Sequence, residues 1–130
     1  MKDIIKLIKS MPDYVGANGV DEKTIKNAEK VLGLKFSKEY REYLSDIGLA
    51  SFDDREFTGI CEQNYLNVVY ATNRKRKLYF NVPKDIYVVE ELNIDGIVIW
   101  QSSDGSIYQT VYDSKPEKIY DSLYDYILED

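Results

Sequence analysis

The chain has 130 residues, 44% hydrophobic and 31% charged, the balance of a globular domain with its own core and not of a disordered or collagen-like chain. Seventeen basic residues against 23 acidic ones leave a net charge of −6, which opposes binding to a nucleic-acid backbone. There is no histidine and a single cysteine, Cys61, so imidazole-based catalysis, imidazole metal sites and any internal disulfide are excluded, and a reducing, cytoplasmic setting is the natural expectation.

In chain order, Ile4, Ile5 and Ile8 recur at helical spacing and Pro12 marks the end of that first helix. Charged residues interrupt this opening stretch, so it lacks the continuous apolar run of a leader, and no later segment reaches membrane-spanning length. A loop with Gly16 and Gly19 leads to Asp21, an N-cap with Val20 and Ile25 at staple spacing around it. Ile25, Ala28 and Leu32, with Val31 beside them, form an apolar stripe that Gly33 stops. Leu34 and Phe36 lead to a second N-cap, Ser37, and Tyr40, Tyr43, Leu44 and Ile47 make a second stripe ending at Gly48. A helical hairpin is predicted there.

Residues 49 to 61 read as strand, turn and strand around Asp53 and Asp54, and a helix is expected from Asn64 to about Lys75. Past Pro83 the period changes to two. Three β-branched runs separated by Asp95-Gly96 and Asp104-Gly105 predict three consecutive antiparallel strands. Val88, Val89, Val98, Ile99 and Trp100 leave neither face of the middle strands polar, so both faces should be covered. Ser122 followed by Asp125 resembles a capping box and opens a final helix with Leu123, Tyr126 and Ile127 on one face. These elements give an α+β fold: an antiparallel or mixed β-sheet packed against N-terminal helices and a C-terminal helix, in one domain spanning residues 1 to 130.

The Ile25, Ala28, Glu29 helix, Leu32-Gly33, the short apolar link, the helix carrying Tyr40 and Leu44, and Gly48 together resemble the SUKH superfamily. Proline commonly stands in the family where this chain has Ser37, and an Asn-Gly pair where it has Ile47-Gly48. The later order of Phe57 to Ile60, a helix through Val68, Val69 and Thr72, strands near Val88 and Val98 and a closing helix is also similar to the family, so the resemblance covers nearly the whole chain. It implies a SUKH-like fold and a non-catalytic protein of the bacterial cytoplasm that neutralises a cognate toxin domain, often a nuclease, by stoichiometric occlusion. The wider family also implies an alternative, a regulatory scaffold or small-ligand-binding module.

The residues offer little chemistry of their own. None of the seven glycines forms a phosphate loop or dinucleotide fingerprint, and the two Asp-Gly pairs lack the alternating oxygens of a calcium loop. Cys61 has only Arg55 as a nearby cation and reads as an inert thiol, and the run Arg74 to Lys77 reads as a solvated helix end complementing the helix dipole. No catalytic residue, cofactor, metal or membrane contact is expected. Asp53, Asp54 and Glu56 are the densest acidic cluster, a solvated loop or a partner contact.

From residue 84 onward there are three basic and eleven acidic residues, and eight of the twelve tyrosines lie in the second half of the chain. Along residues 106 to 112, Tyr108, Thr110 and Tyr112 alternate with Ile107, Gln109 and Val111, which puts two tyrosines on one strand face. Sheet packing and recognition both account for them. On that resemblance, Asp104, Asp113, Tyr108 and Tyr112 of the acidic last third, with Trp100 supporting the sheet, are expected to meet a basic toxin surface, and Asp53, Asp54 and Glu56 are a separate expected partner contact.

Overall fold

The computed structural model describes residues 2–129. Its elements are α1 (Ile4–Lys9), β1 (Val15–Gly16), α2 (Glu22–Leu32), α3 (Lys38–Asp46), β2 (Ala50–Phe52), β3 (Arg55–Glu56), a 3-10 turn (Asn64–Leu66), α4 (Val68–Leu78), β4 (Ile86–Glu91), β5 (Ile97–Ser102), β6 (Ile107–Val111), β7 (Glu117–Tyr120) and α5 (Leu123–Glu129). The strands form two antiparallel sheets, β1-β2-β3 and β4-β5-β6-β7, so the α+β architecture expected from the sequence is the one observed.

The helical hairpin follows its caps. The Asp21 side chain accepts from the Thr24 N–H at 2.9 Å, Gly33 turns left-handed at φ 69°, and the Ser37 hydroxyl accepts from the Tyr40 N–H at 3.0 Å. Glu29 locks the two helices together. Its carboxylate is 3% exposed and accepts from the Phe36 N–H at 2.8 Å and from Arg41 at 2.6 Å, so the buried charge is both paired and hydrogen-bonded.

Two of the sequence expectations shift. The helix expected from Asn64 to Lys75 is interrupted at Asn67, whose side chain caps α4 by accepting from Val69 N–H at 2.9 Å, so a 3-10 turn precedes a helix that runs on to Leu78. A fourth strand, β7, extends the predicted three into a meander, with Tyr108 opposite Lys118 and Gln109 opposite Glu117.

The four-stranded sheet is covered on both faces, as the apolar strands required. Tyr87, Val89, Ile99 and Ile107 join Ile25, Leu32, Phe36, Tyr40, Tyr43 and the α5 residues Leu123, Tyr126 and Ile127 in the main core. Ile86, Val88, Val98 and Trp100 form a second cluster under Ala71 of α4. The outer edge of β4 is closed by two threonines: Thr58 donates to the Val88 carbonyl at 2.8 Å, and Thr72 accepts from the Val88 N–H at 3.1 Å. Among the described residues no helix is long and apolar enough to cross a membrane.

α5 is fastened from a distance. The Glu39 carboxylate, in the first turn of α3, accepts from the N–H groups of Leu123 at 2.7 Å and Tyr124 at 2.9 Å, and from Gln101 Nε2 at 2.9 Å. It satisfies free amides at the start of α5 and neutralises the positive end of that helix, alongside the Ser122 hydroxyl, which accepts from Asp125 N–H at 3.0 Å.

Candidate protein-binding site

The residues expected to meet a partner fall into three separate places. Trp100 belongs to none of them. Its side chain is fully buried and its Nε1 donates to Thr110 Oγ1 at 2.9 Å, so it packs the sheet and cannot touch another protein. Tyr108 is half-buried against the same cluster, which leaves only part of its ring in water. Tyr112 does not share its strand face: β6 ends at Val111, and Tyr112 lies in the following turn at φ +51°.

Asp104 and Asp113 stand at opposite ends of β6, whose five residues span about 17 Å at 3.3 Å per residue, so they do not form one surface. Both are exposed, and both are already engaged. Asp104 accepts from the Ser102 hydroxyl and from Ser106 N–H, and these bonds hold its carboxyl down to about 2. Asp113 accepts from Asn81 N–H at 3.1 Å. The acidic field of the last third is further reduced by ion pairs of Glu90 with Arg55, Glu91 with Lys75, Asp121 with Lys118 and Asp125 with Lys2.

The third place, the β2–β3 hairpin, does concentrate charge. Phe52 pairs with Arg55, so Asp53 and Asp54 are the two loop residues, at φ 50° and 60°. Two consecutive left-handed residues make the primed turn that matches strand twist, a position where Asn-Gly or Asp-Gly is relaxed and a second aspartate is strained. The Asp53 N–H donates to the Pro12 carbonyl at 2.8 Å, which brings a third left-handed aspartate, Asp13 at φ 57°, alongside. Asp13, Asp54 and Glu56 line one shallow depression. All four carboxylates are exposed, and none has an ion pair among the described residues.

The one cation in this hairpin, Arg55, also lines the depression but is committed to a buried carboxylate. Arg55 makes a two-pronged contact with the buried Glu90, Nε at 3.1 Å and a terminal nitrogen at 2.9 Å, while its guanidinium sits 5.0 Å from the Phe57 ring and 5.1 Å from that of Tyr126. Tyr126 donates to the same Glu90 at 2.6 Å. The Arg55 charge is thereby offset by Glu90, and Asp13, Asp53, Asp54 and Glu56 remain the exposed charges of the hairpin and its neighbour loop.

Glu56 also borders a cleft of about 320 Å³ walled by Val15, Gly16, Ala50 and Leu66. Val15 is 67% exposed on β1, the short edge strand. An apolar cleft bordered by Glu56, with Asp13, Asp53 and Asp54 on the adjoining turn and none of the four in an ion pair among the described residues, suits a basic, partly apolar protein segment. Among the described residues no group of His, Cys, Asp or Glu could hold a metal ion. Sequence reasoning singled out Asp53, Asp54 and Glu56 but missed Asp13 and the cleft; Pro12-Asp13 was a turn signal, while its meeting with Asp53 lies 40 residues away in the chain.

The family model SUKH_5, SMI1-KNR4 cell-wall, matches residues 1–130. The chain belongs to the SUKH superfamily. A crystal structure of a protein from Pseudomonas syringae pv. tomato is similar to this SUKH domain, with a TM-score of 0.77 at 13% identity over 99% of this chain and 96% of that one, which shows a shared fold. No curated protein matches the SUKH chain.

Proposed function

We propose that this SUKH protein is a non-catalytic immunity protein of the bacterial cytoplasm that binds a cognate polymorphic toxin domain, of the nuclease type, and occludes it stoichiometrically. The observation that carries the reading is the β2–β3 tip. Two aspartates occupy left-handed positions where glycine would relieve strain of about 1–2 kcal/mol per residue, and strain of this kind persists where the side chains are used. With Asp13 and Glu56 they present an acidic rim beside an apolar cleft. A basic nuclease surface has the complementary charge, so association is steered electrostatically.

The test is coexpression with the toxic domain of any polymorphic toxin encoded beside this protein, scored by growth rescue and recovery of a one-to-one complex. Rescue with a complex is expected, and Asp53→Lys with Glu56→Lys should slow association and abolish rescue. A complex unaffected by these reversals removes the hairpin from the interface. No rescue and no complex with both proteins folded overturns immunity by occlusion, and saturable binding of a metabolite in its place would establish a ligand-binding module.

A further inference from the structure

The apolar cleft beside Glu56 does not end at Leu66. Glu56 and Leu66 also border a smaller and more closed chamber of about 80 Å³, which Tyr65, Arg74, Glu91 and Asn93 line with them. Cleft and chamber therefore adjoin, one walled mostly by apolar atoms and the other by charged and polar side chains.

The charges of the chamber do not satisfy one another. Of the cations of α4, Lys75 pairs with Glu91 at 3.0 Å, and Arg76 donates to the carbonyls of Leu32 and Lys84. Arg74 and Glu56 line the chamber without an ion pair, to each other or to any other group among the described residues. A guanidinium and a carboxylate thus border one small space unpaired, and the Lys75–Glu91 pair beside them adds no net charge. A ligand with a single charge would be attracted by one of the two and repelled by the other. A zwitterionic head group, with its ammonium and carboxylate on one carbon, answers both: its carboxylate meets the planar fork of Arg74 and its ammonium meets Glu56.

Size narrows the class further. The chamber takes a head group but not a continuing peptide chain, whose backbone is uncharged inside and carries one charge at either end. The adjoining cleft, about 320 Å³ and walled by Val15, Ala50 and Leu66, lies at the small end of the range of small-molecule sites, roughly 300–1,000 Å³, and has room for one aliphatic or aromatic side chain.

We propose that the cleft and chamber together bind a free α-amino acid with an apolar side chain, of the class of leucine, methionine and phenylalanine. The inference does not rest on the toxin reading, because it concerns the chain by itself; Glu56 belongs to both sites, so an amino acid held there competes with a toxin for that carboxylate. Isothermal titration of the purified chain with each of the three amino acids, up to about 10 mM, detects a site with a millimolar Kd. The expected result is saturable one-to-one binding of at least one of them. Glycine, N-acetylleucine and leucinamide, which lack the side chain, the ammonium and the carboxylate in turn, should each bind at least about tenfold more weakly. Arg74→Gln and Glu56→Gln should each weaken binding by at least about tenfold and, both side chains being exposed, keep the wild-type circular dichroism and melting temperature. Lys77→Gln, exposed on the next turn of α4, should leave binding unchanged. No saturation by any of the three amino acids, N-acetylleucine and leucinamide binding as tightly as leucine, or an affinity that neither Arg74→Gln nor Glu56→Gln moves would each overturn the proposal.

Discussion

Glu39→Ala tests how much of the fold depends on one side chain spanning two elements. The carboxylate accepts three hydrogen bonds, two of them from the first turn of α5, and it is partly buried. A hydrogen bond to a charged group contributes roughly 1.5–3 kcal/mol and loss of a helix cap typically costs about 1 kcal/mol, while the retained Ser122 cap and entering water recover part of the loss, so about 3 kcal/mol is expected. At about 2.1 cal/mol/K of unfolding entropy per residue, a chain of 130 residues loses roughly 10 °C in melting temperature. Urea and thermal unfolding followed by circular dichroism measure both quantities. Glu39→Gln keeps one accepting oxygen without the charge and should fall in between. Glu42→Ala, exposed on the same helix, should stay within about 0.5 kcal/mol. A Glu39→Ala melting temperature within about 2 °C of wild type would refute the idea that this carboxylate fastens α5.

Three further outcomes are expected. Asp54→Gly should relieve left-handed strain and raise stability by about 1 kcal/mol while weakening the proposed toxin complex, read by urea titration and by affinity on the same preparation; lower stability would contradict the strained-turn account. Gly59→Ala should remove more than about 4 kcal/mol and yield insoluble protein, because the new Cβ would stand 1.9 Å from the Gly48 carbonyl oxygen, whereas Gly33→Ala, with open space around it at φ 69°, should cost only about 1 kcal/mol. Burial raises the hydroxyls of Tyr40, Tyr43 and Tyr87 above the ordinary value of 10.0. Folded values above unfolded ones mean that stability is intact below pH 10 and declines above it, so these tyrosines should ionise, by ultraviolet absorbance, only together with the loss of circular dichroism.

Features decided by neighbours in the chain were legible in the sequence: the Asp21 and Ser37 caps, the Gly33 stop, the turn at Asp53 and the alternating strands. What was not legible depends on contacts made across the fold. β7 is a four-residue strand, Glu117–Tyr120, with two charges and a proline just before it, so it carries little strand signal by itself and exists because β6 offers it a ladder. The acidic last third looked like a single field, but Lys2, Arg55 and Lys75, all from the first 83 residues, come back to pair with Asp125, Glu90 and Glu91. Trp100 could have faced either way; Thr110 opposite Val98 supplies the acceptor that lets its indole N–H be buried. The candidate site was half visible, because aspartates at a turn can be read locally while the approach of Asp13 cannot.

The meander β4-β5-β6-β7 pairs each strand with the next one in the chain, within residues 86 to 120. Each hairpin closes a short loop, whereas the bonds from Glu39 to α5 join residues 84 and 85 positions apart. Because the entropy of loop closure grows with separation, this connectivity favours an order of assembly: the sheet can zip locally, and α5 gains its Glu39 cap only after the helical hairpin has arrived. During synthesis the N-terminal helices emerge first but gain the sheet they pack against only when the last third is made, so the nascent chain carries an exposed amphipathic hairpin that needs protection until the meander closes over it.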